Sequence, residues 1–375
     1  MTKLTPHGGD PALRAPRDYA YDFLVFIGRF QPFHAGHKRV LDAALSQGRR
    51  VIVLTGSARQ PRSIRNPWTW EERAEMIRGS YDADEAERIL VAPLLDTPYH
   101  DQSWIGRVQA TVQGLVCQYQ TEPPRIALIG HAKDRTSYYL KMFPQWDAID
   151  VPQDAVMDAT TLRRALFGAL AMEEGAGADG ARGAMDALAE AGDVPDATTR
   201  VLARFVHTEA ARDVLEEHRA MESYKAAWAE APYPPIFVTV DAVVVQAGHV
   251  LLVRRGGHPG RGQLALPGGF LDPDERIVDA MIRELREETR IGVPAPVLRG
   301  SIRRSRVFDD PHRSSRGRTV SHGYLVELSG EPGALAKVRG GDDAAHAGWH
   351  PLASIDPAEM FEDHYHIIQT LLERS

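Results

Sequence analysis

Residues 28–37 read Gly28-Arg29-Phe30-Gln31-Pro32-Phe33-His34-Ala35-Gly36-His37 and follow directly on the apolar run Phe23-Leu24-Val25-Phe26-Ile27. That run has the length of a buried strand, and beyond the motif Val40, Leu41, Ala44 and Leu45 recur at helical spacing. The ten residues therefore occupy a strand-to-helix turn. Further apolar runs at Val51–Leu54, in ILVAPLL after Arg88 and at Ile126–Gly130 are separated by segments long enough for crossover helices, which predicts a parallel α/β sheet. Sheets of this kind take ligands beyond the carboxyl ends of their strands, where Gly28 and Gly130 fall. Gly28 permits a close backbone turn, and the helix start after it offers unpaired N–H groups to a phosphate. His34 and His37 lie one helical turn apart, so both imidazoles can face one ligand together with Arg29.

Outward from this turn, the chain of 375 residues has room for two domains at about 150 residues each. Residues 1–20 read as a flexible extension without the apolar core of a signal peptide. The α/β pattern spans 21–170. In 171–235 comes an insertion, EEGAGADGARGAMDALAEAG, with little that would fill a core, and then a helical connector that stops at PYPP. A second domain, 236–375, opens on Phe237–Val245, a Gly-containing turn and VLLVRR, an antiparallel pair. With 44 basic and 51 acidic residues the formal charge is −7, which gives no global case for a nucleic-acid partner and leaves small molecules as the expected ones. The single cysteine, Cys117, builds neither an internal disulfide nor a thiolate zinc site and suits a reducing cytoplasm. No apolar run approaches the roughly 20 residues of a membrane helix.

The stretch from Gly28 to His37 resembles the signature of the H-x-G-H nucleotidyltransferases, and the whole string resembles the nicotinamide mononucleotide (NMN) adenylyltransferase branch. Asp158-Ala159-Thr160-Thr161-Leu162-Arg163 is similar to the family's second motif at the start of a late helix. Ile129-Gly130-His131-Ala132-Lys133-Asp134 resembles its nucleotide loop, and Asn66-Pro67-Trp68-Thr69-Trp70-Glu71-Glu72-Arg73 its nicotinamide-side segment. The resemblance implies a Rossmann-like domain that takes ATP and NMN, releases pyrophosphate and makes NAD, with Mg²⁺ bridging the phosphates. It makes His37 the group that stabilises charge at the α-phosphate, with His34, Arg29 and Arg163 holding phosphates. Gly28, Phe30, Gly130, Lys133, Asp134, Thr160, Thr161, Asn66 and Trp68 are the expected nucleotide contacts. Trp68, Trp70 and Trp104 are candidates to stack on nicotinamide, although aromatics near a core more often pack.

A second constellation runs from Gly269: GFLDPDERIVDAMIRELREETRIGV. At about 100° per residue Ile277, Val278, Met281, Ile282 and Leu285 form an apolar stripe, with Glu284, Glu287 and Glu288 in a narrow arc beside it and the arginines mostly elsewhere. Grouped carboxylates repel, and a hard divalent ion among them removes that penalty. Arg283 lies one turn from Glu287 and can orient it. Together with Gly269 and Glu275 these residues resemble the Nudix signature, with one departure: Arg290 stands where the signature has Gly. Since Arg in a left-handed helix cap is strained, the expectation is a shifted helix end, with Gly292 as the cap and the metal site intact.

The resemblance implies an α/β/α sandwich that binds Mg²⁺ or Mn²⁺ through Glu284, Glu287 and Glu288. Arg303–Tyr324 and Gly340–Ala344 resemble the ADP-ribose pyrophosphatase group, which splits ADP-ribose into AMP and ribose 5-phosphate. The basic residues of the former would hold the diphosphate, and Asp342 or Asp343 would assist the metal or act as base; the sequence does not choose. Both halves, in order, resemble the bifunctional NMN adenylyltransferase/Nudix hydrolases. Two alternatives stay open: another phosphorylated acceptor for the first domain, and a non-catalytic ADP-ribose sensor for the second.

Overall fold

The computed structural model describes residues 19–119, 123–131, 142–152, 158–172, 178–191, 194–330, 335–341 and 344–373. The first unit is built from β1 (Tyr21–Gly28), α1 (Ala35–Gln47), β2 (Gly48–Thr55), α2 (Trp70–Arg78), α3 (Ala83–Arg88), β3 (Ile89–Pro93), α4 (Asp101–Val116), β4 (Ile126–Gly130) and β5 (Asp147–Asp150). All five strands are parallel, in the order β3-β2-β1-β4-β5. The chain winds outward from β1 on one side and returns to β4 on the other, so a crevice opens between those two strands at their carboxyl ends. Gly28 and Gly130 end the strands that flank it. The short strand β5, with mostly exposed side chains, carries no apolar run and is not legible from periodicity.

Four helices follow: α5 (Ala159–Met172), α6 (Ala178–Ala191), α7 (Asp196–Phe205) and α8 (Glu209–Ala226). The sequence reading of 171–235 as insertion and connector needs correction here. Ala184 and Leu188 of α6, Val201, Leu202 and Phe205 of α7, and Val214 and Leu215 of α8 are buried in one apolar cluster with Phe26, Phe30, Phe33 and Trp68. α6 packs along α5, seated by Ala184 and Leu188, two apolar side chains one turn apart. Helix α7 also supports the motif loop directly, because the Thr198 hydroxyl donates to the Phe33 carbonyl at 2.9 Å.

The second unit contains β6 (Ile236–Gln246), β7 (His249–Arg255), β8 (Leu264–Ala265), β9 (Gly268–Phe270), α9 (Ile277–Thr289), α10 (Ala295–Gly300), β10 (Ile302–Phe308), β11 (Arg318–Leu328), β12 (Ala344–Pro351) and α11 (His364–Leu372). β6 and β7 form the expected hairpin, turning through Ala247 and Gly248, both at positive φ. The sheet is mixed: β6 pairs in parallel with β11 along its whole length, and β10-β11 and β7-β12 are antiparallel. Met281, Ile282 and Leu285 of α9 fill one face, and Ile367, Ile368 and Leu371 of α11 the other, giving a sandwich.

The units meet through polar contacts around Tyr99. Its hydroxyl donates to Asp363, its carbonyl accepts from Arg306 at 3.2 Å, and its ring lies edge-on to Phe308 at 4.9 Å. Asp363 is held in turn by both guanidinium nitrogens of buried Arg313, at 2.9 Å each. Among the described residues, no helix is long and apolar enough to cross a membrane.

If α6 belongs to the first core, Leu188→Ala should destabilise that unit by about 2–4 kcal/mol, read as a lowered midpoint in chemical denaturation. A mere linker would give no change.

Candidate functional site

The first site grows from the turn after β1. Phe30 adopts a positive φ of 52° and turns its ring back beneath the strand end, where it is 1% exposed. A Cβ on Gly28 would lie 2.9 Å from that ring, so glycine is required there for packing. Phe30 is thus a core side chain, and the expectation that it contacts nucleotide is corrected. Its ring and that of Phe33 hold His37, at centroid distances of 4.9 and 5.9 Å, and His34 stacks on His37 at 3.8 Å. His34 caps α1: its Nδ1 accepts from the Gly36 N–H at 3.1 Å. An accepting Nδ1 places the proton of a neutral ring on Nε2, which becomes a donor.

Two buried arginines fix the loop. Arg73, on α2, donates to the carbonyls of Arg29 (2.6 Å) and Gly56 (2.7 Å), and burial lowers its pKa to about 10. Arg163, on α5, donates to the Gln31 carbonyl (2.5 Å) and to Thr160 Oγ1 (3.2 Å). Burial, then the charges of Arg29 and Arg65, bring Arg163 to about 10 as well. Asp158 caps α5 by accepting from the backbone N–H groups of Thr160 (2.6 Å) and Thr161 (3.0 Å), and it also takes the Thr161 hydroxyl (3.0 Å).

Beside this loop opens a cavity of about 1030 Å³, on whose walls lie Arg29, Arg65, Arg163, Thr160, Asn66 and Trp104, while His34 and His37 are not among its lining residues. Glu217, His218 and Lys225 of α8 and the segment Asp310–Ser315 of the second unit complete it. Arg29 is lowered by surrounding protein and then by Arg65, with Asp96 opposing. Among the described residues none of Arg29, Arg65 and Arg163 forms an ion pair with a carboxylate. Asn66 donates from its amide to Gln60 at 3.0 Å, while its Oδ1 is a buried acceptor with no described partner.

Trp68 does not reach this cavity. It is 2% exposed and packs against Phe167 and Phe205 at 6.4 and 5.7 Å, so the expectation that it binds ligand is corrected; Trp104 is the tryptophan on the wall. Thr161 spends its hydroxyl on Asp158. Lys133 and Asp134 lie outside the described residues. Sequence reasoning passed over Arg65 and gave Arg73, the last residue of the segment from Asn66, no role of its own. The first directly precedes the segment singled out at Asn66, and the second sits among glutamates, where an arginine reads as a surface partner.

The second site lies where α9 faces β9. A Cβ on Gly268 would fall 2.0 Å from the Val240 carbonyl, and one on Gly269 would fall 2.4 Å from Glu284 Oε1, so both glycines admit close approach. Arg283 pairs with Glu287 as its one-turn spacing predicts, and it stands amid the neighbouring acids as well. It donates to Glu275 (2.6 and 3.1 Å), Glu284 (2.8 Å) and Glu287 (3.0 Å). Glu288 instead accepts from the Gly268 N–H at 3.1 Å. Among the described residues no group of three or more His, Cys, Asp or Glu is arranged to hold a metal. The cation that relieves the glutamates here is Arg283.

The donor set nonetheless fits a hard divalent ion. Burial raises the Glu288 pKa to about 8 against the Gly268 hydrogen bond, and the Glu284 charge adds to the rise. Burial raises Glu284 too. A carboxylate disfavoured as an anion and a neighbour in a glycine cradle are groups whose charge a bound cation would restore.

The helix end also differs from expectation. α9 stops at Thr289, and Arg290 itself takes the left-handed conformation, φ 43° and ψ 39°. Instead of a shifted terminus, residues 339–341 satisfy the last carbonyls: Arg339 N–H donates to Thr289 (2.8 Å) and Gly341 N–H to Glu288 (2.9 Å). The basic stretch after Arg303 is likewise not one grip. Arg303 pairs with Glu327, Arg313 is buried on Asp363, and Arg318 donates to the Asp309 carbonyl. Asp342 and Asp343 lie outside the described residues.

Comparison with known proteins matches residues 25–111 to the cytidylyltransferase-like family and 235–371 to the NUDIX domain. A crystal structure of a bifunctional NMN adenylyltransferase/ADP ribose pyrophosphatase from Francisella tularensis superposes with TM-score 0.80 at 36% identity, covering 94% of this chain and 98% of that one. A structure of such a protein from the same organism, complexed with AMP and a Mn ion, superposes equally at 34% identity, with the same coverage. The nicotinamide/nicotinic acid mononucleotide adenylyltransferase of Acinetobacter baylyi is 34% identical over 206 residues, 55% of this chain and 97% of that protein.

Relief of the left-handed strain at Arg290 predicts that Arg290→Gly raises stability by up to about 1 kcal/mol, measured as an upward shift in thermal midpoint.

Proposed function

The chain belongs to the bifunctional NMN adenylyltransferase/ADP-ribose pyrophosphatase family, and on that premise we propose which residues carry each reaction. The first unit transfers the adenylyl group of ATP to NMN, giving NAD and pyrophosphate. The observation that carries the assignment is the set of three guanidiniums, Arg29, Arg65 and Arg163, gathered on one wall with no ion pair to a carboxylate among the described residues. A polyanion is the ligand that such a wall stabilises. No protein nucleophile is needed, since the NMN phosphate attacks the α-phosphate directly. The protein aligns the two phosphates and neutralises the charge that spreads over the transferring group.

In this reading His37, immobilised among Phe30, Phe33 and His34, stabilises the α-phosphate. His34 donates from Nε2, Arg29 and Arg163 hold the triphosphate, and Thr160 sets the Arg163 fork. Gly130 closes the strand end across the crevice. Asn66 offers its Oδ1, and Trp104 its ring, on the side left for the nicotinamide. Mg²⁺ enters with ATP as part of the substrate, and the solitary Cys117 suits a cytoplasmic setting.

The second unit hydrolyses ADP-ribose to AMP and ribose 5-phosphate. Glu284, Glu287 and Glu288 would hold the divalent ion, which supplies an activated water and neutralises the diphosphate. Arg283 holds Glu284 and Glu287 in place, and its anchorage on Glu275 and the Phe270 carbonyl fixes the guanidinium itself. The Gly268 N–H directs Glu288.

His37→Ala should cut NAD synthesis by at least about 100-fold and leave ADP-ribose hydrolysis intact, while Glu288→Gln should do the reverse; assays of both activities on each purified variant check this. Loss of both in a folded variant would break the two-site assignment. Mn²⁺ should raise the thermal midpoint of the wild type and shift that of Glu288→Gln far less.

A further inference from the structure

Arg65 is exposed, and the charges of Arg29 and Arg163 lie close enough to bear on it. A long side chain under like-charge repulsion does not hold one rotamer unaided. Its tether comes from the second unit, where the His312 carbonyl accepts from Arg65 Nη1 at 3.1 Å. That carbonyl is itself fixed. Asp310 Oδ1 accepts from the His312 N–H at 2.8 Å and the Asp310 carbonyl accepts from the Arg313 N–H at 3.1 Å, which closes a tight turn over residues 310–313. Two anchors fasten the turn to its own unit: Arg313 is forked onto Asp363, and the Ser315 N–H donates to Glu362 at 2.8 Å. Asp363 also takes the hydroxyl of Tyr99, which lines the cavity with Trp104 and Asn66.

Asp310, Pro311, His312 and Arg313 thus belong by sequence to the NUDIX match and by surface to the cavity that holds the guanidiniums of the first unit. Arg65 adjoins Asn66, on the acceptor side of that cavity, where the anion to be met is a phosphate monoester. We propose that the second unit completes the transferase's acceptor site: the 310–313 turn, through the His312 carbonyl, holds Arg65 toward the NMN phosphate, and Asp310 is the positioning residue that sets the turn. The inference rests on the NMN adenylyltransferase reading of the first unit.

Removing Arg313 would leave Asp363 and Asp241 buried and unpaired and so unsettle the whole junction. Asp310 is only half-buried, and the test therefore compares wild type, Asp310→Ala, Asp310→Asn, Arg65→Ala and the double variant Asp310→Ala/Arg65→Ala in the full chain. Initial rates of NAD synthesis are measured at varied NMN and at varied ATP. Asp310→Ala is expected to raise KM for NMN about 5-fold, with KM for ATP and kcat within about 2-fold. Loss of a carboxylate beside a phosphate site acts by charge alone in the opposite direction, tightening NMN, so the sign separates positioning from electrostatics. Loss of stability would lower kcat and leave KM unmoved, because KM reads the folded fraction. Asp310→Asn keeps the Oδ1 acceptor and returns KM to the wild-type value or below it. Since the turn acts through Arg65, the double variant should show the KM of Arg65→Ala alone. Multiplying effects in the double variant, a KM for NMN unaltered or lowered in Asp310→Ala, or an equal rise in KM for ATP would overturn the proposal. A wild type that makes no NAD from NMN and ATP would instead strike the reading on which the inference rests.

Discussion

Like charges held together against their mutual repulsion are the constraint from which the rest of this molecule follows. Arg29, Arg65 and Arg163 share one wall, and Glu284, Glu287 and Glu288 share one helix. Unit charges about 4 Å apart interact by about 4 kcal/mol at a near-surface dielectric, so neither group would stay assembled on flexible chain. The two halves meet this problem by opposite means. In the first, neutral carbonyls do the holding: Gln31 anchors Arg163, and Arg73 is spent on the Arg29 and Gly56 carbonyls to fix the loop from beneath. In the second, a counter-charge does it, as Arg283 ties Glu275, Glu284 and Glu287 together while Glu288 turns away to a backbone N–H.

The parts that were legible in the sequence are those in which local pattern and global fold agree. The run Phe23–Ile27 followed by a glycine and a helical stripe could only be a strand, a turn and a helix, and the α9 stripe likewise announced its buried face. What escaped was what depends on a distant partner. The local Thr69 carbonyl does not mark Arg73 as buried, because the carbonyls that take its Nη1 lie 44 and 17 residues away in the chain. Trp68 and Phe30 sat inside recognisable motifs and were taken for ligand contacts, whereas their rings fill the core behind the site. A motif records which residues travel together, and some of them travel as support. Helix α6 was misread for a related reason: alanine and glycine look like linker composition, and the helix α5 that it packs along is not visible locally.

Arg290 illustrates how a departure from a signature is absorbed. The glycine position needs a left-handed backbone, and arginine adopts it without moving the helix end, because the 339–341 backbone donates to the carbonyls that the helix leaves open. The constraint is on the conformation, and the residue type is one of several ways to meet it.

Helix α8 belongs by its buried side chains to the first core, yet it sends Glu217 to the Gly260 N–H and its aromatic end to Phe237. The position near residue 235, where the NUDIX match begins, is therefore no seam. A hydrolase excised there would leave behind the aromatic buttress of its own wall, and a transferase excised there would keep a helix with one flank bared to water. The two enzymes are joined the way a shared wall joins two rooms, and neither can be lifted out with its plaster intact.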